Sequence, residues 1–282
     1  MKKKNIAILG GGFISNSLKK NFLLEKKFYV KQFQRKNIDL SKANCNVKLI
    51  NISKKFNVLI FIAAKAPVKN FEMLEYNLKI LNNFCETLKK KNLGYLIYLS
   101  SDAVYKDTKK KITESSIKNP NSLHGLMHIY RENILKYFFR EKLCIVRPTL
   151  IYGENDPHNG YGPNSFIRNA QKNKNIRIFG NGEERRDHIC IDDIAHIIKN
   201  IIMKKYIGEL NLVSGKTITF KKIAEQVIKN YKNGIKIIKI PRKGPMPHMG
   251  LRQFDNKKIL KFINNKNLTN LESWIRLKKN YL

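Results

Sequence analysis

The sequence predicts an α/β fold with a doubly wound parallel sheet and a smaller C-terminal lobe. Three observations carry this prediction. Apolar segments alternate with helical segments from Ile6 to Arg147, a glycine-rich turn joins the first strand to the first helix, and proline, glycine and asparagine become frequent after Arg147. Strands that alternate with helices favour a mostly parallel sheet with helices on both faces.

The first strand and the turn after it are the most informative segment. Residues 6–9 are an unbroken apolar run, typical of a strand buried on both faces. Gly10 and Gly12 occupy the first two positions of the pattern G-x-G-x-x-G, and Ser15 takes the third. Such a turn lets a pyrophosphate approach backbone N–H groups at a helix N-terminus, although a glycine turn without a ligand is the alternative. The candidate cofactor-binding residues here are Gly10, Gly11, Gly12, Phe13 and Ile14.

The remaining elements follow from apolar runs and from apolar residues at helical spacing. The runs predict strands at residues 28–33, 58–64, 95–99, 143–147, 209–213 and 235–240. The spacing predicts helices at residues 72–91, 124–139, 192–203 and 220–230. We expect a dinucleotide-binding core at residues 1–152, to which residues 187–214 return, and a smaller lobe formed by residues 153–186 and 215–282.

Two strand ends carry further candidates for the cofactor site. Arg35 follows the second strand, where a carboxylate is typical of NAD binding and a cation suits the 2'-phosphate of NADP. Asp39 comes slightly later, so NAD and NADP both stay open, with Arg35 tilting the balance toward NADP unless it is a solvated surface charge. Ala63, Ala64 and Lys65 end the third strand, and the small alanines allow a cofactor to lie against the backbone.

Composition bears on the partners of the chain. The 282 residues carry a formal net charge of +35, but the lysines are scattered, without a long basic block, so we expect no nucleic-acid partner. No apolar stretch is long enough to span a membrane and no signal-peptide pattern is present, so we expect a cytoplasmic protein without a membrane partner. The four cysteines lack a C-x-x-C pair and are expected to be reduced packing residues.

Several motifs in this order resemble the extended short-chain dehydrogenase/reductase family, which comprises NAD(P)-dependent sugar-nucleotide epimerases, dehydratases and ketoreductases. They lie at residues 10–15, 63–64, 77, 100–105, 147–148, 152–153, 180–182, 186–187 and 192–193. The resemblance implies a Rossmann fold with a substrate-binding lobe, NAD or NADP as cofactor, and a nucleoside diphosphate sugar as substrate. It also implies 4-keto reduction or epimerisation in surface-polysaccharide or glycan precursor synthesis, and a homodimer.

The same resemblance assigns roles to individual residues. It implies that Ser101 is the catalytic serine that hydrogen-bonds the reacting sugar oxygen, although a serine that caps a turn is the alternative. Asn164 and Arg186 match the groups that bind the diphosphate of the substrate, a role that suits the planar guanidinium. Arg252 is a weaker candidate for the same role, and Arg242 competes with it.

The chain departs from the family at the catalytic helix, where His124 and His128 occupy the places of the tyrosine and lysine of Tyr-x-x-x-Lys. Imidazole titrates near neutrality, so we expect His124 to be the general acid/base and His128 to donate to the nicotinamide ribose. A literal Tyr-x-x-x-Lys begins at Tyr105, but it lies in a loop after Ser101. The alternatives are a protein that binds both nucleotides without turnover, and a metal-binding histidine pair, for which no third ligand is evident, so we expect no metal.

Overall fold

The computed structural model describes residues 3–157, 160–231, 234–264 and 267–278. Within them the strands are β1 (Lys4–Leu9), β2 (Phe28–Phe33), β3 (Val58–Phe61), β4 (Tyr95–Leu99), β5 (Leu143–Pro148), β6 (Leu150–Tyr152), β7 (Ile176–Phe179), β8 (Arg185–Cys190), β9 (Gly208–Leu212), β10 (Thr217–Thr219), β11 (Ile237–Ile240) and β12 (Leu251–Arg252). The α-helices are α1 (Phe13–Leu23), α2 (Asn46–Lys55), α3 (Phe71–Leu88), α4 (Leu123–Phe139), α5 (Pro163–Gln171), α6 (Ile191–Lys204), α7 (Phe220–Tyr231), α8 (Lys257–Phe262) and α9 (Leu271–Lys278).

The described residues form two compact units. The first contains those within 1–106, 114–148 and 194–212, and the second contains those within 107–113, 149–193 and 213–282. The core expected from the sequence is larger than this first unit, because it extends to residue 152 and also includes residues 187–193. The division into a dinucleotide-binding core and a substrate-binding lobe stays a prediction.

The first unit is built on a parallel sheet in which the described strands run in the order β2-β1-β3-β4-β5-β9. The strands from β3 to β5 are buried at every position, as the apolar runs of β3, β4 and the first four residues of β5 predict. The chain moves outward from β1 to β2 and then returns to place β3 on the other side of β1. This reversal opens a crevice at the carboxyl ends of β1 and β3, which is where open α/β sheets bind their ligands. The predicted doubly wound fold is therefore confirmed.

Strand β3 is shorter than predicted, since it ends at Phe61 rather than at residue 64. The backbone N–H groups of Ile62 and Ala63 both bond the carbonyl oxygen of Leu9, at 3.0 and 2.8 Å, so the chain leaves the ladder and crosses over the end of β1. The crossing brings Ala63 against Gly10, where a Cβ would lie 3.0 Å from the nitrogen of Ala63. The small residues at Gly10 and Ala63 thus allow two backbone segments to approach each other closely.

The helices that flank the site begin at side-chain caps. Asn70 accepts a hydrogen bond from the backbone of Met73 at the start of α3, and Ser122 accepts one from Gly125 at the start of α4. Both helices begin one residue before the predicted start, and α3 ends three residues before the predicted end. Helix α2 has no counterpart among the predicted elements.

The second unit has its own core and smaller sheets. Strand β8 pairs with β6, β10 and β12, and β7 pairs with β11. Apolar residues of α5, α7 and α9 form the core beside β7, among them Phe166, Ile223 and Trp274. Among the residues that the structure describes, every helix is too short or too polar to span a bilayer.

Candidate active site

The glycine turn meets the requirements of a phosphate site. Gly10 and Gly12 have φ angles of 141° and 90°, in the region that favours glycine, and no side chain caps α1 at Gly12. Ser15 is fully buried and its hydroxyl donates to the carbonyl oxygen of Gly11 at 3.3 Å, so a small hydroxyl residue fits the third position of the pattern. The first N–H groups of α1 therefore face outward without a competing side chain, as an anion at a helix N-terminus requires.

A cleft of about 240 Å³ opens beside this turn. It brings together seven of the predicted cofactor residues, namely Gly10, Gly11, Arg35, Asp39, Ala63, Ala64 and Lys65. Larger cavities lie beside β2 and α2 and in the second unit, but no predicted site residue lines either of them. The cleft at the turn is therefore the one that agrees with the chemistry of the sequence.

Tyr76 is a residue of this cleft that sequence reasoning missed. Two cations lie near its ring, with the Arg35 guanidinium 5.4 Å and the Lys65 ammonium 5.8 Å from the ring centre. The ring stands on α3 and gives the cleft a flat apolar wall. Its place in a helical segment gave no signal, because an aromatic residue at helical spacing is more often part of a core.

Arg35 and Asp39 form an ion pair in the cleft, with Nε and Oδ2 3.2 Å apart. Burial alone would raise the pKa of Asp39, but hydrogen bonds from Ser41 and Arg35 to the carboxylate outweigh it and hold the pKa below its usual value. The cleft thus contains an ionised carboxylate as well as the exposed arginine. A carboxylate at this place suits ribose hydroxyls and an arginine suits a 2'-phosphate.

Asn77 fixes the segment that follows β3. Its side chain accepts a bond from the nitrogen of Lys65 and donates to the carbonyl oxygen of Lys65, both at 2.9 Å. The fully buried amide also donates to Met73 in the preceding turn of α3. Arg131 on α4 donates to the carbonyl oxygens of Ala63 and Asn77, at 2.9 and 2.7 Å, and is a second residue that sequence reasoning missed.

Ser101 lies directly after β4 and caps the one-turn helix Asp102–Val104. Its hydroxyl oxygen accepts a hydrogen bond from Ala103 at 3.2 Å, while its own hydrogen has no acceptor among the described residues. The preceding residue is anchored, because the Ser100 hydroxyl donates to Glu132 at 2.6 Å. The capping role expected as the alternative is therefore present, and it leaves Ser101 able to donate to a reacting oxygen.

His124 and His128 both lie on α4, as the sequence predicts. The start of α4 is pressed against the loop after Ser101, since a Cβ at Gly125 would lie 2.3 Å from the carbonyl oxygen of Ala103. His124 is partly buried, and its Nδ1 accepts a long hydrogen bond of 3.5 Å from Val68. His128 is buried, and its Nδ1 lies 2.7 Å from the hydroxyl of Tyr98.

Burial lowers the pKa of both histidines. For His124 the charge of Asp102 opposes the effect of burial and that of Arg131 adds to it, with a net pKa below the usual value. For His128, burial together with His124 and Arg131 holds the pKa well below the usual value. His128 is therefore neutral at physiological pH. It can donate a hydrogen bond to a ribose hydroxyl, but it cannot supply the positive charge that the resemblance places there.

The tyrosine of the literal Tyr-x-x-x-Lys is held elsewhere. The hydroxyl of Tyr105 donates to Asn211 and accepts from Arg147, both at 2.7 Å. Arg147 in turn forms a fully buried ion pair with Glu132, with Nη2 and Oε2 2.6 Å apart. Because Tyr105 is buried in this network and lies outside any helix, the structure gives it no acid/base role.

The second unit holds the candidate substrate residues. Arg186 and Arg242 share the carboxylate of Glu184, with N–O distances of 3.3 and 3.6 Å. Nε of Arg186, and Nε and Nη2 of Arg242, are buried donors without a hydrogen-bond partner among the described residues. Unsatisfied buried donors on two arginines that share one carboxylate suit an anionic oxygen. Glu184 gave no signal in the sequence.

Asn164 and Arg252 have other contacts in the structure. The amide of Asn164 donates to the carbonyl oxygen of Gly153 at 2.5 Å and accepts from its nitrogen at 3.3 Å, so it fixes a loop. Arg252 pairs in strand register with Arg186 but is fully buried, and its Nη1 bonds Asp107 at 3.0 Å. Of the competing arginines, Arg242 is the one with unsatisfied donors.

A metal site has no support in this arrangement. Among the described residues, no three histidine, cysteine, aspartate or glutamate side chains come together as ligands.

Comparisons with known proteins agree with the fold and the motifs. The sequence model of the NAD dependent epimerase/dehydratase family matches residues 6–211. A dTDP-D-glucose 4,6-dehydratase from Dictyostelium discoideum is 26% identical over 196 residues, which are 62% of this chain and 45% of that protein. The chain spans between 45% and 62% of the length of the first three curated relatives that it matches.

Solved structures show the same fold. The UDP-N-acetylglucosamine 4-epimerase from Methanobrevibacter ruminantium, in complex with UDP-N-acetylmuramic acid, has a TM-score of 0.84 and 20% identity, with 100% of this chain and 98% of that chain covered. The UDP-glucose 4-epimerase of Thermus thermophilus, in complex with NAD, has a TM-score of 0.83 and 18% identity, with 98% of each chain covered.

Proposed function

This chain belongs to the NAD dependent epimerase/dehydratase family, and from that premise we propose that it is an NAD(P)-dependent enzyme that acts on a nucleoside diphosphate sugar by 4-keto reduction or epimerisation. The observation that carries the proposal is the cleft at the glycine turn, which gathers seven predicted cofactor residues at the point where the strand order reverses. The resemblance further suggests a role in surface-polysaccharide or glycan precursor synthesis.

The residues present fit a dinucleotide. Gly10 has no side chain where a Cβ would press on Ala63, and the start of α1 is free to bind a pyrophosphate. Asp39 and Arg35 lie in the cleft where an adenosine ribose would reach them, and Tyr76 offers a ring for stacking. The two charges leave NAD and NADP as competing occupants.

The proton chemistry falls to His124. A bound nicotinamide supplies hydride acceptance and donation, and a proton must leave or reach the sugar oxygen in the same step. We assign this proton to His124, which is neutral near pH 7 because burial lowers its pKa; with the ring hydrogen on Nε2, the base is Nδ1, whose hydrogen bond from Val68 is 3.5 Å long and therefore weak. Ser101 orients the sugar oxygen through its free hydroxyl hydrogen, and His128 binds the nicotinamide ribose.

Arg186 and Arg242 are proposed to bind the diphosphate of the substrate. The two guanidinium groups share one carboxylate, so the pair keeps a net positive charge, and buried donors on both have no partner among the described residues. We assign Asn164 and Arg252 supporting roles, because the contacts that they make hold a loop and a strand.

A protein that binds both nucleotides without turnover is the second candidate. The neutral state of His128 favours it, because the charge of the family's lysine is missing at that position. Calorimetry of the purified protein with NAD and NADP, and then with UDP, GDP and dTDP sugars, tests the shared part of both candidates. We expect one dinucleotide and one sugar nucleotide to bind, and absence of all binding would overturn both.

The assembly and the location are further proposals. Helix α4 exposes Leu126, Tyr130 and Tyr137, and Tyr137 is 82% exposed. A row of large apolar side chains on one helix suits a contact with a second copy of the chain, in keeping with the homodimer that the resemblance implies. Light scattering of the wild type and of Tyr137→Glu tests the dimer. A cytoplasmic location stays a prediction.

A further inference from the structure

Arg131 is a buried cation with no counter-ion in the part of the chain that the structure describes. Its side chain is 1% exposed and donates to the carbonyl oxygens of Ala63 and Asn77, and no carboxylate lies within ion-pair distance among the described residues. It also contacts the face of Phe61, with 5.4 Å between the guanidinium carbon and the ring centre. Buried charges are usually paired, so an unpaired one at a candidate active site requires an explanation.

The hydroxyl of Tyr98 contacts His128 and is influenced by the charge of Arg131. Tyr98 is buried in β4, and burial raises its pKa above the usual value although Arg131 acts in the opposite direction, so the hydroxyl keeps its proton. A guanidinium has donors and no acceptor, so Arg131 offers the hydroxyl hydrogen of Tyr98 no partner, whereas Nδ1 of His128 does. The hydrogen then points to Nδ1 of His128, which lies 2.7 Å from the oxygen.

We infer that Tyr98 and Arg131 are positioning residues that hold His128 as the neutral tautomer with its hydrogen on Nε2. An Nδ1 that accepts from Tyr98 has no hydrogen of its own, so the single hydrogen of a neutral ring lies on Nε2. Nε2 has no hydrogen-bond partner among the described residues, so this N–H is available as a donor. That the donor serves a nicotinamide ribose rests on the proposed function, whereas the tautomer does not.

The groups around His128 support the same state. Tyr98 faces it from β4, and His124 and Arg131 face it from its own helix. The two basic neighbours disfavour an imidazolium, and burial acts in the same direction. The positive charge that the resemblance places at position 128 is found three residues further along α4, at Arg131, where it disfavours an imidazolium at His128.

Nuclear magnetic resonance of the imidazole nitrogens tests the tautomer without any ligand. The chain has six histidines, so His128→Gln identifies the His128 signals by difference. In the wild type we expect Nε2 at the shift of a protonated nitrogen and Nδ1 at that of an unprotonated one, unchanged between pH 7 and pH 6. A hydrogen on Nδ1, or an imidazolium in this range, would overturn the inference.

Two substitutions test the positioning residues. Tyr98→Phe removes the hydroxyl, so the two tautomers of His128 should mix and the Kd for the dinucleotide should rise roughly 3- to 10-fold, the effect of one lost neutral hydrogen bond. Tyr105→Phe, which removes a buried hydroxyl of another network, is the control and should leave the His128 signals unchanged. Unchanged signals in Tyr98→Phe would contradict the role of Tyr98.

Arg131→Lys retains the charge, and Arg131→Met removes it at similar volume. We expect Arg131→Met to raise the pKa of His124 and of His128, because the neighbouring positive charge is lost, and Arg131→Lys to raise them less. Identical titrations in all three proteins would overturn the role of Arg131, and if either variant fails to fold the wild-type tautomer still decides the inference. Failure of the wild type to bind any dinucleotide would instead count against the proposed function alone.

Discussion

The imidazole rings of His124 and His128 meet edge to face, with their centres 4.7 Å apart and their planes at 87°. One turn of α4 separates the two residues, which is the spacing that places side chains on one helix face. Burial, together with the neighbouring His124 and Arg131, disfavours protonation of His128 and holds its pKa well below the usual value, whereas the charge of Asp102 opposes the lowering at His124. His124 is therefore the member of the pair able to exchange a proton.

The first prediction concerns His124. His124→Ala should lower kcat by roughly 10²- to 10⁴-fold with little change in substrate affinity, because a general acid/base acts in the transition state. His128→Ala should mainly raise KM for the dinucleotide. His196→Ala, on α6, is the control and should leave kcat and KM unchanged. Full turnover by His124→Ala would assign the proton to Ser101, to water or to the substrate.

The second prediction uses the two opposite charges in the cleft. Arg35→Ala should weaken NADP roughly tenfold and NAD only slightly, because the 2'-phosphate loses a charge-assisted bond at an exposed site. Asp39→Asn should strengthen the binding of NADP and weaken that of NAD, since a carboxylate repels the 2'-phosphate and accepts bonds from ribose hydroxyls. Calorimetry with both dinucleotides measures the two changes. Equal effects on NAD and NADP in both variants would place the adenosine ribose elsewhere.

The third prediction compares neighbouring arginines of β8. Arg186→Ala should weaken a bound nucleoside diphosphate roughly 10- to 100-fold, the usual effect of losing hydrogen bonds to a charged group. Arg185 is exposed and bonds Thr217, so Arg185→Ala should change the affinity less than about twofold. Arg242→Ala should resemble Arg186→Ala. Similar losses for Arg185 and Arg186 would indicate a diffuse electrostatic effect instead of a site.

The fourth prediction concerns stability in mild acid. Burial lowers the pKa of His188 from 6.5 to about 3, and those of His124 and His128 are also lowered. The unfolded chain therefore binds protons before the folded one, and the free energy of unfolding falls as pH drops below 6.5, by up to about 1.4 kcal/mol per pH unit for each such histidine.

Acidic residues affect the free energy of unfolding in a separate, lower pH range. The pKa values of Glu25 and Glu209 are lowered from 4.5 to about 2, so their contribution is lost only as pH falls below 4.5. Urea denaturation between pH 7 and pH 5 thus isolates the histidines, and His188→Asn should reduce the slope. A free energy of unfolding that stays constant over this range would contradict the burial of neutral histidines.

The sequence predicts the first unit well for a physical reason. Strands buried on both faces have unbroken apolar runs, and β4, buried at every position, begins and ends at the predicted residues, as does the half-exposed edge strand β2. Helix α2 was missed because Leu49, Ile52 and Ser53 are its buried residues, too few for a visible apolar stripe. In the second unit, β8 takes partners from distant parts of the chain, and such pairing leaves no local pattern.

Some residues of the candidate site were likewise predictable from the sequence and others were not. Gly10 and Gly12 were predictable, since a turn with positive φ leaves glycines in the sequence. Arg131 and Glu184 were not, because a charged residue in a helix or a loop gives no sign that it is buried. Their importance depends on contacts with carbonyl groups and arginines that only the folded chain brings near.

The central claim is that this chain couples hydride transfer at a nicotinamide to proton transfer at His124. The most direct measurement is the nicotinamide absorbance band of the dinucleotide-loaded protein after it is mixed with each sugar nucleotide that binds it. We predict that the band changes in the wild type and that the change is slowed by roughly 10²- to 10⁴-fold in His124→Ala. A wild type that binds a sugar nucleotide but leaves the band unchanged in both the oxidised and the reduced form would contradict the claim.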